Sequence, residues 1–318
     1  MNILIIGAGA IGIAMGASLA AHGEEISYIA TPKTGKLIEA EGITRVGLFG
    51  EAHADAGSIK VFYEYADLPS DYYDYVIICA KTMANEQIAR SLHEYRSCMK
   101  AGGIIVIMQN GWGNDLPYLE YFEVSVVYNA RVITGFARIS PNVSKITVHT
   151  APVMIGSLHG CPKEKAGLLA QAIDESGIPC VVTDEVGKAL WAKMLYNCTL
   201  NPLGAILKVP YGKLADSPAT ADIMNRLIRE TFAVMKAAGY ESFWDTPEAY
   251  IEEFYSKLIP DTYAHCSSTY QDMEKKQKTE IETLTGCIIR LAREHGIEVP
   301  THKTIYEEVL FLESQYLG

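Results

Sequence analysis

Lys193, Asn197 and Asn201 lie four residues apart in a stretch, 184–207, that is otherwise apolar: Leu190, Trp191, Met194, Leu195, Cys198 and Leu200 surround them. On an α-helix each step of four turns the side chain by only about 40°, so the three polar groups form one row along one face. Burial disfavours the ammonium form of a lysine and lowers its pKa, which turns an amine into a general acid or base near neutral pH. Two amides beside it add donors and acceptors without adding charge. The same pattern also suits a bland arrangement, a snorkelling lysine with two asparagines bonded to backbone near Pro202. The remainder of the chain decides between the two.

A second constellation stands at the N-terminus. A short apolar run, residues 3–6, leads into Gly7-Ala8-Gly9-Ala10-Ile11-Gly12, then into a helical pattern reaching His22 and a second apolar run at 26–29. Strand, glycine turn and helix in that order form a dinucleotide-binding fingerprint. Gly7 permits the tight turn, Gly9 lets backbone approach a pyrophosphate, Gly12 lets helix pack on strand, and the first helical N–H groups face the anion. An acidic residue after the second strand would select NAD, whereas the chain reads Ala30-Thr31-Pro32-Lys33, with Lys36 close behind. Thr31, Lys33 and Lys36 suit a 2′-phosphate, and NADP is the expected cofactor.

These groups need a scaffold. Apolar runs at 75–80 and 104–108 read as core strands, with a helix between them at about 84–96. They end in Lys81-Thr82 and in Gln109-Asn110-Gly111, and strand ends are where an open α/β sheet binds ligands. Lys81 and Asn110 are therefore either site residues or caps of the following helices. Residues 43–61 read as a meandering hairpin region. From 124 to 157 the pattern becomes short β-rich runs, expected to finish the sheet, followed by a helix at 163–176 and a last strand at 179–183. Everything beyond is helical in pattern. The expected architecture is an α/β, Rossmann-type doubly wound sheet over residues 1–183 and an all-helical substrate and catalytic domain over 184–318.

Within the helical part, Thr279-Glu280-Ile281-Glu282 has capping-box form, which predicts a helix start there and leaves Glu280 free to face a cleft. Ser268 precedes Gln271 at cap spacing as well. Composition bounds the partners. The 318 residues carry a formal net charge of -11 with a pI near 5.3, and no Lys/Arg-rich block serves a nucleic-acid backbone. No apolar run reaches the roughly 18 residues of a membrane span. Seven cysteines without a CxxC pair read as reduced thiols in a cytoplasmic protein. Eight histidines show no HxxxH spacing, so no metal site is expected. Phe243, Trp244 and Tyr250 are candidates either for the helical core, the commoner place for aromatics at helical spacing, or for contact with a second copy in a homodimer.

The chain resembles the ketopantoate reductase (2-dehydropantoate 2-reductase) family. The likeness is carried by the glycine motif, Cys79-Ala80-Lys81, Gln109-Asn110-Gly111, Asn129-Ala130-Arg131, Trp191-Ala192-Lys193 with Asn197, Asn201-Pro202-Leu203, Ser267-Ser268, Gln271-Asp272 and Thr279-Glu280-Ile281. The resemblance implies NADPH-dependent reduction of ketopantoate to pantoate, in pantothenate biosynthesis. It implies that Lys193 donates the proton, that Glu280 bonds the substrate hydroxyl, and that Asn110 touches both cofactor and substrate. Asn197, Asn201 and Ser268 would hold the substrate, while Lys81 and Ala130 would line the cofactor site. Two positions depart from the pattern. Tyr211 stands where the family often has Asn, and Thr31 where members commonly carry Arg. A reductase of another 2-oxo or β-hydroxy acid on the same scaffold is the alternative, and a catalytically silent dinucleotide sensor is a second.

Overall fold

The structure, a computed structural model, describes residues 1–317, and the chain divides into two compact units: Met1–Gln109 with Asn114–Val186, and Asn110–Gly113 with Gly187–Gly318. The first holds every strand among the described residues. These are β1 (Asn2–Ile6), β2 (Glu25–Ile29), β3 (Ile43–Gly47), β4 (Ala52–Ala54), β5 (Ile59–Phe62), β6 (Tyr73–Ile78), β7 (Met99–Ile107), β8 (Val127–Arg131), β9 (Thr134–Ser140), β10 (Val143–His149), β11 (Val153–Gly156) and β12 (Cys180–Val182). Its helices are α1 (Ala10–His22), α2 (Pro32–Glu41), α3 (Asn85–Glu94), α4 (Leu116–Leu119) and α5 (Gly167–Glu175).

Eight strands form the main sheet in the order β12-β11-β8-β7-β6-β1-β2-β5, parallel except where β11 meets β8. Taken from β5 to β8 this is the 3-2-1-4-5-6 order of the dinucleotide-binding fold, and its chain reversal falls between β1 and β6. The uninterrupted apolar runs of the central strands follow from cover on both faces. Ile3 and Ile5 of β1 point into one buried cluster with Ile77 and Val106, while Leu4 and Ile6 point into another with Val76, Ile105 and Ile107. Strand period two thus feeds two cores.

The four remaining strands do not finish this sheet. They form a second one, β4-β3-β10-β9, in which β3 pairs β10 in parallel across about a hundred residues of chain. The β-rich stretch after residue 124 is therefore divided: β8 and β11 join the main sheet, β9 and β10 the small one. The supposed meander at 43–61 is divided as well, since β5 pairs β2 at the edge of the main sheet. The small sheet lies against α1. Its presence explains why α1 has no polar face: residues Gly12 to Leu19 are all buried, a helix covered on opposite sides.

The second unit is helical: α6 (Val186–Leu207), α7 (Tyr211–Ala215), α8 (Pro218–Ala237), α9 (Pro247–Glu253), α10 (Ile259–Asp261), α11 (Ser268–Glu274), α12 (Thr285–Glu294) and α13 (Pro300–Leu317), with a π turn at Phe254–Leu258 between α9 and α10. One buried cluster joins Trp191, Leu195 and Cys198 of α6 to Leu227 and Phe232 of α8 and to Cys287 and Ile288 of α12. Tyr250 is buried in that cluster, and the Trp244 indole N–H donates to Glu253, so of the three aromatics named above Phe243 is the exposed one.

The capping box does not form. Residues 280–284 make turns, and α12 begins at Thr285. Tertiary partners take the groups that would have capped the helix: Glu313 accepts the Thr279 N–H at 2.6 Å, and the Tyr306 hydroxyl donates to Glu282 at 2.6 Å. Nor is Ser268 a cap. Ser267 is, accepting the Tyr270 N–H at 3.0 Å, which leaves the exposed Ser268 side chain for other contacts. No described helix is long and apolar enough to cross a membrane, and no three His, Cys, Asp or Glu side chains among the described residues are grouped to hold a metal.

Candidate active site

Each glycine of the N-terminal motif has its own geometry. Gly7 sits at φ +106°, and a Cβ there would lie 2.3 Å from the backbone N of Ala80, just past β6. A Cβ on Gly12 would lie 2.1 Å from the Gly7 carbonyl oxygen. These two fix the turn and bring α1 onto the strands. Gly9 differs, because its Cβ position meets nothing nearer than the Cys79 carbonyl at 3.9 Å. The chain tolerates a side chain at Gly9, and what its smallness leaves open is the space before the helix. Gly9 caps α1 without a side-chain bond, the first turn carries no acidic residue, and Ala8, Ala10 and Ile11 are half-buried. The uncapped N–H groups and the open face at Gly9 fit a pyrophosphate.

Around this turn the sheet presents further groups. Thr31 is the N-cap of α2 but its hydroxyl makes no capping bond, and Thr31, Lys33 and Lys36 are all exposed. Arg138, from the small sheet, donates to Thr34 Oγ1 at 2.9 Å in the first turn of α2. That cation was not legible in the sequence, since β9 reaches α2 only through the unforeseen second sheet. Lys81 is exposed just past β6, and Ala130 is buried in β8 with its methyl group in the core. A buried amide network follows β6 and β7: Gln109 Nε2 donates to the Ala80 carbonyl and to Asn85 Oδ1, both at 2.7 Å, and Asn85 Nδ2 donates to Asn114 Oδ1 at 3.3 Å.

The polar row lies in the second unit, on α6. Lys193 is half-buried, while Asn197 and Asn201 are buried. Lys193 Nζ donates to Asn110 Oδ1 at 2.5 Å, and Asn110 Nδ2 donates to Glu280 Oε2 at 3.2 Å. Glu280 is 8% exposed. The three groups make one directional chain: because the carboxylate accepts from the amide nitrogen, the amide oxygen is turned to the lysine. Asn201 Nδ2 approaches Ser268 Oγ at 3.5 Å, and Asn201 Oδ1 accepts from Tyr211. Lys193, Asn110 and Glu280 are thus brought together, and Asn201 and Ser268 pair separately on the same unit.

Asn110 belongs to this unit although it comes from the first half of the chain. Its neighbours hold it there. Gly111 stands at φ +101° with its Cβ position 2.5 Å from the Thr283 carbonyl, and the Trp112 N–H donates to that carbonyl at 3.1 Å. The half-buried Trp112 ring meets Trp191 of α6 at 5.1 Å and Tyr240 at 4.7 Å, and Trp191 stacks on Tyr240 at 5.3 Å. An aromatic pair of this kind is worth about 0.5–1.5 kcal/mol beyond area burial.

A 3-2-1-4-5-6 sheet with its glycine turn at the strand reversal, followed by an all-helical unit, defines an α/β oxidoreductase of the Rossmann class. The family model described as Ketopantoate reductase PanE/ApbA matches residues 3–160, and that described as Ketopantoate reductase PanE/ApbA C terminal matches residues 185–313. A 2-dehydropantoate 2-reductase of Aquifex aeolicus (strain VF5) is 36% identical over 310 residues, covering 97% of this chain and 96% of that protein. One of Archaeoglobus fulgidus is 25% identical over 319 residues, covering 98% of each. Among solved structures, a PanE/ApbA family ketopantoate reductase from Ralstonia eutropha JMP134 superposes with a TM-score of 0.85 at 26% identity over 100% of both chains. D-mandelate dehydrogenase with NADH and anilino(oxo)acetate reaches 0.85 at 22% identity over 99% of each, a likeness of fold. The chain belongs to the ketopantoate reductase family.

Proposed function

We propose that this protein reduces 2-dehydropantoate to pantoate with NADPH, the first unit holding the dinucleotide and the second carrying the substrate and the proton donor. The observation that supports it most is the hydrogen-bonded chain Lys193–Asn110–Glu280. Bound NADPH supplies a hydride to a ketone carbon. The chain supplies what the ketone oxygen then needs, charge stabilisation and a proton. Lys193, its side chain held by Asn110, would stabilise that oxygen as an ammonium and deliver the proton to it. Glu280 holds the Asn110 amide with its oxygen toward the lysine, and its second carboxylate oxygen is available to a substrate hydroxyl. Asn197, Asn201 and Ser268 offer uncharged donors to the rest of the substrate.

On the cofactor side Gly7, Gly9 and Gly12 shape the pyrophosphate turn, with Ala8, Ala10 and Ile11 as its lining. Thr31, Lys33 and Lys36 supply a hydroxyl and two cations for a 2′-phosphate, without an acidic competitor. Lys81 and Ala130 complete the proposed cofactor contacts. The seven free cysteines support a cytoplasmic setting. A homodimer belongs to the same proposal, supported by the exposed Phe243, and sedimentation tests it.

The decisive experiment measures oxidation of NADPH and of NADH against ketopantoate and a small panel of other 2-oxo acids. Ketopantoate with NADPH should give the highest kcat/KM. A better substrate elsewhere in the panel would replace the substrate assignment, and tight NADPH binding without turnover on any member would favour a sensor.

A further inference from the structure

Tyr211 opens α7 between Pro210 and Gly212, a place where nothing in the local sequence signals chemistry. Its ring is 2% exposed, edge-on to Tyr196 at 5.6 Å and tilted against His265 at 5.2 Å, and its N–H donates to the His265 carbonyl at 3.0 Å. Ring and backbone are both held by these contacts. The hydroxyl donates to Asn201 Oδ1 at 2.7 Å. Burial, together with the neighbouring Tyr196 and Cys266, pushes this phenol well above its ordinary pKa, so it remains a protonated donor.

An amide has one accepting end and one donating end. With Oδ1 engaged by Tyr211, Asn201 turns its NH2 the other way, toward the exposed Ser268 hydroxyl. That contact, at 3.5 Å, is too long to satisfy the group. The backbone beneath is fixed as well, because the Asn201 carbonyl accepts from Ser267 Oγ at 3.0 Å while Ser267 caps α11. Two donors, the Asn201 amide and the Ser268 hydroxyl, are therefore held side by side. Their shared complement is an anionic oxygen group.

We infer that Tyr211 is a positioning residue that locks the Asn201 amide nitrogen outward, so that Asn201 and Ser268 together select the carboxylate of the 2-oxo or 2-hydroxy acid. The inference rests on the substrate class proposed above. An amide free to flip would present its oxygen to a carboxylate and repel it, so the lock sets discrimination between an acid and its neutral form.

The test measures binding of pantoate and of its amide, pantoamide, which keeps both hydroxyls but lacks the carboxylate, to the NADP-loaded enzyme by calorimetry, alongside kcat and KM for the oxidised acid. Tyr211→Phe keeps the ring and removes the hydroxyl. It should weaken pantoate about tenfold, leave pantoamide unchanged, and raise KM with kcat altered less than about twofold, the scale of one lost hydrogen bond. Asn201→Asp, nearly isosteric, should abolish the preference for the acid even if Tyr211→Phe folds poorly. Equal loss of acid and amide, an unchanged affinity for the acid in Tyr211→Phe, or a wild-type enzyme that binds neither or does not discriminate between them overturns the inference. A wild-type enzyme that discriminates pantoate from pantoamide yet turns over only a different 2-oxo acid overturns the ketopantoate assignment instead, and leaves the role of Tyr211 to be judged by its variant.

Discussion

In the proposed reaction Lys193, Asn110 and Glu280 would divide one task among an amine, an amide and a carboxylate. Removing each has its own signature. Lys193→Ala should lower kcat by roughly 10²–10⁴ while NADPH binds normally, the usual scale for a lost general acid. Glu280→Gln keeps shape and one acceptor oxygen but removes the charge, so the hold on the Asn110 amide weakens. A charged hydrogen bond of about 1.5–3 kcal/mol then predicts a fall in kcat of roughly ten- to a hundredfold, read in steady-state turnover. The lysine row was legible because i, i+4 spacing is a local property of a helix. The bond from Asn110 to Glu280 was not, since it joins positions 170 residues apart through a contact that no spacing encodes. Tyr211 was legible only as a departure from a family pattern, and its hydrogen bond to Asn201 gives that departure a physical content.

At the scale of elements, the two glycines nearest the helix start separate stability from binding. Gly12→Ala forces a methyl group to within 2.1 Å of the Gly7 carbonyl and should destabilise the first unit by about 1–3 kcal/mol or more, seen as a lower Tm without ligand. Gly9→Ala meets only open space and should leave Tm nearly unchanged while weakening NADPH at least tenfold in a fluorescence titration. The strand-turn-helix was legible for the same reason that its glycines are informative: all of its constraints lie within a dozen residues. Where elements depend on distant partners, sequence reasoning failed. The β3–β10 pairing gave no local sign, and the capping box at Thr279 lost its groups to Glu313 and Tyr306 on α13. Capping preference is worth about 1 kcal/mol, a margin that tertiary hydrogen bonds readily exceed.

For the whole molecule, pH acts on stability through Glu230 of α8. Its carboxylate accepts from the Thr301 and His302 N–H groups, both at 3.0 Å, and faces His302 Nδ1 at 2.8 Å, tying α13 to α8. Burial pushes the carboxyl upward, but hydrogen bonds from His302 and Thr301 outweigh it and hold the pKa below the usual range. The folded state is then favoured above the ordinary carboxyl pKa of about 4.3, and that contribution disappears as pH falls through the lower folded value. Glu230→Gln should lower Tm at pH 7 by about 2–4 °C and flatten its decline between pH 6 and pH 3, measured by thermal melts across that range. Thiols report the same integrity. Burial pushes Cys79 and Cys180 to about 12, Cys98 and Cys287 to about 11, and Cys198 well above the ordinary thiol range, so alkylation of the folded protein at pH 8 should be confined to Cys161 and Cys266, and should reach all seven on unfolding.

The segment Asn110–Gly113 has a consequence for any attempt to divide or recombine this protein. Its residues are encoded within the sheet half of the chain, yet Gly111 and Trp112 are seated on the helical half. A chimera cut near residue 186 would join one parent's Asn110 to the other parent's Lys193 and Glu280, and would ask a foreign tryptophan to fit the Trp191–Tyr240 stack. Exchange of the halves between relatives should succeed only when these four residues travel with the helical part, so the unit of inheritance for the proposed proton-donating group is not a continuous stretch of sequence.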